Sequence, residues 1–378
     1  MPPRDHSDLG ASAAERWMNC PPSALLTRGM KDEETIYAAE GSAAHALCEW
    51  KVRRLLKQEA GRRPCSDYQS DEMEACSDDY RDYVADILGR AQQHCDDPVA
   101  LVEQHVDYSC YVPDGYGTAD LILIADEELN VVDFKYGRGI PVHAEHNVQM
   151  MLYALGALIL FDMLYDIDTV TMTIFQPRID NISVWTIKAE QLYQWAEKEL
   201  RPKAEMAAKG EGEFTPGTWC RFCKARSQCR ARAESYLEMA RMDFRPPALL
   251  SDDEIAEVMD RADDLRRWVE DVMTYASAQA IENGRHFDGW KVVEGRTNRK
   301  FTDTTAVEEA AKTAGFKDIY NKTLISLTAF EKLMGKAKFQ EILGQYVYKP
   351  AGKRTLVRDT DPRKELETVN VDRDFTSI

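Results

Sequence analysis

The sequence contains no apolar run long enough to cross a membrane, and no internal repeat or low-complexity tract. A membrane-spanning helix needs roughly 20 consecutive apolar residues. The first residues, MPPRDHSDLG, also lack the apolar stretch of a secretory signal peptide. These absences predict a soluble, cytoplasmic protein with no membrane partner.

The chain also lacks an excess of positive charge. Its 48 lysines and arginines are outnumbered by 65 acidic residues, which gives a net charge of −17 and a pI near 5.0. This balance excludes a protein that coats nucleic acid through bulk positive charge. It leaves open an enzyme that contacts a few phosphates locally.

The length of 378 residues allows two domains with separate cores. The stretch FRPPALLSDDE (244–254) has the composition of a linker followed by a helix start, because two prolines stop the preceding helix and Ser251 with Glu254 forms a capping-box pattern. We therefore predict one domain over residues 1–243 and a smaller α+β domain over 251–378.

Apolar periodicity predicts an α/β first domain, with a mixed sheet flanked by helices. The predicted helices span 12–27, 38–59, 71–94, 144–162 and 189–208, and the predicted strands span 100–107, 118–125, 130–136, 168–176 and 182–187. In the second domain the pattern predicts helices at 251–283, 304–314 and 325–343, with short strands around 288–301.

The stretch GTADLILIADEELNVVDFK, from Gly117 to Lys135, has the composition of a β-hairpin. Asp120 begins one apolar run, and Asp133 with Lys135 ends the next. If the turn is centred near Glu127, Asp120 lies roughly opposite the other two. Since side chains alternate along a strand, Asp133 and Lys135 share a face.

Two carboxylates beside a lysine can hold a hard divalent cation and orient a water for attack on a phosphodiester. Such a hairpin therefore points to nuclease chemistry. An Asp-x-Lys triplet alone is weak support, because it recurs by chance in most chains of this size. The residues around it decide how much weight it carries.

Three further side chains are candidates for the same site. His45 lies on a predicted helix and can complete a carboxylate metal site, although a simple helix-face contact with Glu49 is the plainer explanation. Gln149 and Tyr153 lie four apart on another predicted helix and can project to one side. Glu103, on the preceding strand, faces an unknown side, so we leave it outside the predicted site.

The cysteines give an independent signal. Cys220, Cys223 and Cys229 form a Cys-x-x-Cys motif followed by a third cysteine, and Cys20 lies far upstream. We name these residues the four-cysteine group; they could bind a [4Fe–4S] cluster or Zn²⁺, or be incidental thiols. The other cysteines show no ligand spacing: Cys48, Cys65, Cys76, Cys95 and Cys110.

These motifs together resemble the RecB-type motifs of the PD-(D/E)XK nuclease superfamily. The matching residues are, in chain order, His45, the GTAD ending at Asp120, the DFK from Asp133 to Lys135, and the pair Gln149 and Tyr153. The four-cysteine group is similar to that of the superfamily's iron–sulfur branch, which includes the AddB nuclease domain and the CRISPR-adaptation exonuclease. The resemblance covers about residues 14–232. The chain as a whole resembles phage- and prophage-encoded nucleases of this type.

The resemblance implies a restriction-endonuclease-like core and a role for each matching residue. Mg²⁺ or Mn²⁺ would be coordinated by His45, Asp120, Asp133 and the Phe134 carbonyl. Lys135 would position or help deprotonate the attacking water, and Gln149 and Tyr153 would position the substrate strand. The four-cysteine group would hold a [4Fe–4S] cluster, with Zn²⁺ as the alternative.

The expected activity is a metal-dependent DNA exonuclease acting in phage recombination or replication, in the cytoplasm of a bacterial host. A recombination protein or a single-strand-binding protein is the expected partner. DNA contacts are expected from the basic residues around the cysteines, namely Arg221, Lys224, Arg226 and Arg230. The rival interpretations are a catalytically inactive nuclease fold that binds DNA or a partner, and a zinc-stapled endonuclease. In the second domain, the basic strings at 294–300 and 348–354 suggest either phosphate contacts or solvated loops.

Overall fold

The computed structural model describes residues 7–30, 36–139, 141–240, 251–293, 304–313, 331 and 333–347. The chain divides into two compact units, Met1–Val293 and Glu294–Ile378. The domain boundary predicted from the two prolines, at 244–250, lies outside the described residues. The basic strings at 294–300 and 348–354 lie outside them as well.

The described part of the first unit contains nine α-helices and five strands. The helices are α1 (Ala14–Asn19), α2 (Ser23–Leu26), α3 (Ile36–Leu55), α4 (Asp71–Ala91), α5 (Val148–Phe161), α6 (Ala189–Trp195), α7 (Arg201–Lys209), α8 (Arg230–Ala240) and α9 (Asp252–Asn283). The strands are β1 (Val99–Asp107), β2 (Tyr116–Ala125), β3 (Glu128–Phe134), β4 (Thr169–Gln176) and β5 (Asn181–Lys188). A π-helical turn, Ala196–Leu200, joins α6 to α7.

The strands form one mixed sheet in the order β1-β2-β3-β4-β5, with β3 and β4 parallel and the other neighbours antiparallel. The β2–β3 hairpin pairs Leu121 with Val132, and its two-residue turn begins at Asp126, whose φ of 50° is of the kind such turns need. Continuing this register by one residue sets Asp120 opposite Asp133. The predicted mixed sheet flanked by helices is therefore confirmed.

Helices cover both faces of the sheet. On one face, Ile122, Ile124 and Val131 pack with α1, α5, α6 and α7, and Trp17 is fully buried there. On the other face, Leu121, Leu123, Val132 and Phe134 pack against α3 and α4. We call these the α5 core and the α3–α4 core. Burying each large apolar side chain contributes roughly 1.5–3 kcal/mol, so both faces fix the position of the hairpin.

Two predicted elements differ from the structure. The predicted helix at 12–27 is two short helices, α1 and α2, because Pro21 and Pro22 follow Cys20 and a proline lacks the N–H that a helix interior needs. The strands predicted around 288–301 are not seen at 288–293, the part of that range the structure describes. Gly289, in this segment, adopts a positive φ, which suits a turn rather than a strand.

The second unit is described over two helices, α10 (Thr304–Thr313) and α11 (Lys336–Leu343). An i,i+4 ion pair between Lys312 and Glu308 stabilises α10, and Phe339 on α11 is buried. Across all described residues of the chain, no helix is both long and apolar enough to span a membrane.

Candidate functional site

The strand β2 brings Asp120 against helix α3. The His45 Nδ1 atom lies 3.3 Å from Asp120 Oδ1, and the Phe134 backbone N–H donates to Asp120 Oδ2 at 2.6 Å. The His45 ring also meets the Phe134 ring edge-on, with centroids 5.3 Å apart. Asp120 is thus held from α3 on one side and from the end of β3 on the other.

Glu103 on β1 joins this pair, although sequence reasoning left it out. One ligand atom each from His45, Glu103 and Asp120 lies within 4.8 Å of the others, and all three residues are half-buried. An imidazole nitrogen and two carboxylates form a suitable donor set for a divalent cation. We call these residues the His–Glu–Asp triad.

The triad lies at an irregularity in the sheet. Ala119 packs in the α5 core and Leu121 in the α3–α4 core, although residues two apart on a strand normally share a face. The register places Glu103 opposite Asp120, and Glu103 has a φ of 51°, in the left-handed region that favours glycine. Strained backbone of this kind is often found at functional sites.

The end of β3 and helix α5 form a second cluster. Lys135 Nζ lies 3.0 Å from Asp133 Oδ2 and donates to Gln149 Oε1 at 3.1 Å. The Gln149 amide donates to Asp133 Oδ1 at 3.3 Å and to the Tyr153 hydroxyl at 3.1 Å. We call these four residues the Asp–Lys–Gln–Tyr cluster. The spacing of Gln149 and Tyr153, one helical turn apart, lets both reach the hairpin.

Gly117, in the GTAD motif, allows α5 to approach β2 closely. A Cβ atom at this position would lie 2.7 Å from the Tyr153 ring, which is too close for any larger residue unless the ring shifts. The glycine therefore makes room for Tyr153 beside the cluster. This is a packing reason for a glycine three residues before Asp120.

Three groups of the site have pKa values above their ordinary values. Burial acts to lower the pKa of His45, but the carboxylates of Asp120 and Asp133 outweigh it and the pKa is raised. Burial raises the pKa of Asp133, against the opposing charge of Lys135. Burial together with Asp120 raises the pKa of Glu103 to about 7. Two of the carboxyl groups in the site thus have raised pKa values, because burial and the nearby charge of Asp120 disfavour their ionised forms.

Asp133 is the most deeply buried carboxylate of the site. Its side chain is 4% exposed, and its Oδ2 lies 3.0 Å from the Lys135 ammonium. A buried carboxylate is costly to the fold unless it is paired. Asp133 therefore depends on Lys135, and a divalent cation bound beside it would add a second positive partner.

The predicted site residues thus fall into two adjoining sets. His45 and Asp120 belong to the triad with Glu103, whereas Asp133 is not a member of that group of mutual neighbours. The two sets interact, because the charges of Asp133 and Lys135 both act on His45. Phe134 lies between Asp133 and Lys135 in the chain, and its backbone N–H donates to Asp120 of the triad. A single acidic residue within the apolar strand VALVEQHV was the available signal for Glu103.

The four-cysteine group lines one cavity of about 20 Å³, which is bordered by Trp219, Arg16 and Arg232. Among the described residues, no three of the group's sulfurs lie within 4.8 Å of one another. A tetrahedral zinc site with Zn–S bonds of about 2.3 Å would set its sulfurs roughly 3.8 Å apart. The thiols therefore face a common space but are more widely spread than in a closed zinc site.

The basic residues near the cysteines differ in their surroundings. Arg226 pairs with Asp271 of α9 at 3.1 Å, and Lys224 donates to the Met30 carbonyl at 3.2 Å. Arg221 lies over the Phe222 ring, with its guanidinium carbon 5.6 Å from the centroid. Arg230 is 88% exposed. Arg226 and Lys224 thus contact the protein itself, while Arg230 is the one of the four most open to solvent.

These features define an α/β protein in which α3, β1 and β2 carry a candidate metal centre. The chain belongs to the family described as protein of unknown function (DUF2800), whose model matches residues 6–364. A solved protein, SSO0001, is similar at 17% sequence identity over 58% of this chain and 96% of its own, with a TM-score of 0.23. At that TM-score the likeness supports no conclusion about fold or function.

Proposed function

We propose that this protein is a metal-dependent deoxyribonuclease with a PD-(D/E)XK core of the RecB-like, iron–sulfur branch. The observation that carries the proposal is the meeting, at the end of the β2–β3 hairpin, of the His–Glu–Asp triad and the Asp–Lys–Gln–Tyr cluster. Buried acidic groups with raised pKa values beside a lysine are typical of catalytic sites. The order of the motifs along the chain supports the same proposal.

The metal would be held by residues from both sets. His45, Asp120 and Asp133 remain the proposed ligands with the Phe134 carbonyl, and Glu103 is added because its carboxylate lies in the triad. Mg²⁺ or Mn²⁺ bound there would supply a Lewis acid and lower the pKa of a bound water. The oxygen-rich donor set suits both cations, and the imidazole favours tolerance of Mn²⁺.

The Asp–Lys–Gln–Tyr cluster would position the attacking water and the substrate strand. Lys135, with its raised pKa, stays protonated, so its proposed role is to hold the attacking water and to stabilise negative charge on the phosphate. Gln149 contacts Asp133, Lys135 and Tyr153 at once and would fix the geometry of all three. Tyr153 would contact the substrate strand.

The four-cysteine group would bind a [4Fe–4S] cluster. The four cysteines line a common cavity, and their order along the chain is similar to that of the superfamily's iron–sulfur branch; these two features support the proposal. The cavity lies where the end of α1 meets the turn Thr218–Phe222. A cluster there would stabilise the first unit by joining chain segments about 200 residues apart.

We assign the activity to DNA ends because of the charge balance. A net charge of −17 repels long duplex DNA wherever local cations do not outweigh it. Binding must therefore depend on a confined groove, and a free or frayed strand enters such a groove more easily than a continuous duplex.

Digestion of matched linear and covalently closed circular DNA tests this function. With Mg²⁺ or Mn²⁺, the protein should degrade the linear form and leave the circles intact, and the isosteric Asp133→Asn variant should degrade neither. Asp126→Asn, in the turn of the same hairpin, is the control and should retain full activity. Equal rates on both forms would indicate an endonuclease, and no degradation of either would favour the inactive, DNA-binding alternative.

A further inference from the structure

Two arginines lie just beyond the carboxyl ends of the parallel strands β3 and β4. Arg138 follows β3 by four residues, and Arg178 follows β4 by two. We call them the strand-end arginines. Both guanidinium groups contact Glu72 at the start of α4, and Arg178 also contacts Glu40 on α3. Ligands of open α/β sheets commonly bind outside the carboxyl ends of parallel strands.

The contacts of Arg178 leave its guanidinium incompletely satisfied. Its side chain is 10% exposed, yet its Nε–H is buried without an acceptor. The contacts of Nη1 with both oxygens of Glu40 are 3.4 Å long, whereas charge-assisted hydrogen bonds are usually about 2.7–2.9 Å. A tetrahedral anion with several free oxygens could replace these carboxylates with better geometry.

The surroundings hold Arg178 in place. Its guanidinium carbon lies 4.3 Å from the centroid of the Tyr136 ring, and its Nη1 donates to the Tyr136 carbonyl at 3.4 Å. The buried amide of Gln176 donates to the Gly137 carbonyl at 3.1 Å and so attaches this segment to the end of β4. An arginine stacked on a ring keeps its planar donor edge pre-oriented, which lowers the entropic cost of binding an anion.

Arg178 lies close to the candidate metal centre. Tyr136 is the residue after Lys135, and its ring stacks near that of Phe134 at 6.2 Å. Glu40, which Arg178 contacts, precedes His45 by five residues on α3, a distance of roughly 7.5 Å along the helix axis. The strand-end arginines and the candidate metal centre therefore lie close enough along α3 to contact one DNA strand.

We propose that the strand-end arginines bind a backbone phosphate of the DNA strand near the phosphate at the metal centre, and that Glu72 occupies their guanidinium donors in the free protein. This inference rests on the proposed nuclease function and adds a substrate-positioning site to it. Glu72 competes with the phosphate for the same guanidinium donors. Removing the charge of Arg178 should therefore weaken DNA binding, whereas removing the charge of Glu72 should strengthen it.

The test is fluorescence anisotropy with a labelled single-stranded DNA oligonucleotide over a series of salt concentrations, in an Asp133→Asn background. Arg178→Gln should weaken binding by about tenfold, the loss of one charge-assisted contact, and reduce the slope of affinity against salt by about one charge. Glu72→Gln should strengthen binding. Arg201→Gln is the matched control, because Arg201 also lies over a tyrosine, Tyr111, and pairs with a glutamate elsewhere in the fold.

A purely structural role for Arg178 predicts a different pattern. Arg178→Gln and Glu72→Gln would then both lower the melting temperature, and Glu72→Gln would not strengthen DNA binding. If a folded Glu72→Gln protein binds DNA as well as the unmodified protein, or more weakly, the inference is overturned. Failure of the proposed function is distinguishable, because it would appear as DNA binding without cleavage by the unmodified protein. A protein that binds no DNA at all would overturn both.

Discussion

Replacing Lys135 with methionine should make the stability of the protein strongly dependent on pH. Lys135 is the one cation within 3.0 Å of the buried carboxylate of Asp133 among the ion pairs of the described residues. Methionine keeps most of the volume of the lysine stem but removes the charge. Asp133 would then retain a single hydrogen bond, the 3.3 Å contact from the Gln149 amide.

The size of the effect follows from the geometry. At 3.0 Å and an effective dielectric constant of about 20, the attraction between the two charges is roughly 5–6 kcal/mol. The cost of burying Asp133 offsets part of this attraction. Breaking a buried pair by removing one partner typically costs about 3–5 kcal/mol, and we expect a loss of that order at neutral pH.

The sign of the pH dependence follows from the pKa of Asp133. Burial already raises this pKa above its ordinary value, so the folded state holds the proton more tightly than the unfolded chain. Stability therefore falls as pH rises through the interval between the unfolded and folded pKa values. Without Lys135 the folded pKa rises further, and the loss of stability extends to higher pH. At acid pH, where Asp133 is protonated, the variant should be close to the unmodified protein.

Urea unfolding in metal-free buffer, followed by tryptophan fluorescence at acid and at neutral pH, measures this difference. The double variant Asp133→Asn with Lys135→Met should recover most of the loss, because it leaves no buried charge. Lys188→Met, which breaks an exposed pair with Asp168, is the control and should change stability by about 1 kcal/mol or less. An equal loss at both pH values, or no recovery in the double variant, would refute the reasoning.

Three other outcomes follow from the structure. Glu103→Gln should weaken Mn²⁺ binding in calorimetry and reduce the rise in affinity that the unmodified protein should show as pH increases through about 7, the pKa of Glu103; the deprotonation of His45, whose pKa is also raised, supplies the rest of that rise. Unchanged affinity would remove Glu103 from the metal site. Cys223→Ser should lower both the iron content of anaerobically purified protein and its melting temperature, whereas zinc without iron in the unmodified protein would contradict the cluster. Arg230→Glu should weaken DNA binding at all sequences without changing the metal requirement, and equal binding would exclude this exposed arginine from the groove.

The hairpin could be predicted because its determinants are local. Two continuous apolar runs of strand composition and a short polar connection fix the register, and the register places Asp120 opposite Asp133. The helical spacing of Gln149 and Tyr153 likewise predicts that both face the hairpin. The prediction of one helix over 12–27 missed the break at Pro21 and Pro22, although prolines rarely occupy a helix interior.

The rest of the site depends on contacts between distant segments. The side on which Glu103 lies is decided by its left-handed backbone and by the shift in alternation between Ala119 and Leu121, which no pattern in a single strand shows. The pairing of Arg178 with Glu40 and Glu72 joins residues more than 100 positions apart. Such pairs follow from the packing of α3 and α4 on the sheet, which sequence periodicity does not specify.

The most direct test of the nuclease assignment is digestion of linear DNA labelled separately on each strand, with the unmodified protein and the Asp120→Asn variant compared at equal metal concentration. The proposed site predicts progressive release of label from an end in the presence of Mg²⁺ or Mn²⁺, none with a chelator, and none from a folded Asp120→Asn protein. Release of label by that variant at the unmodified rate would show that the hairpin site does not catalyse the reaction.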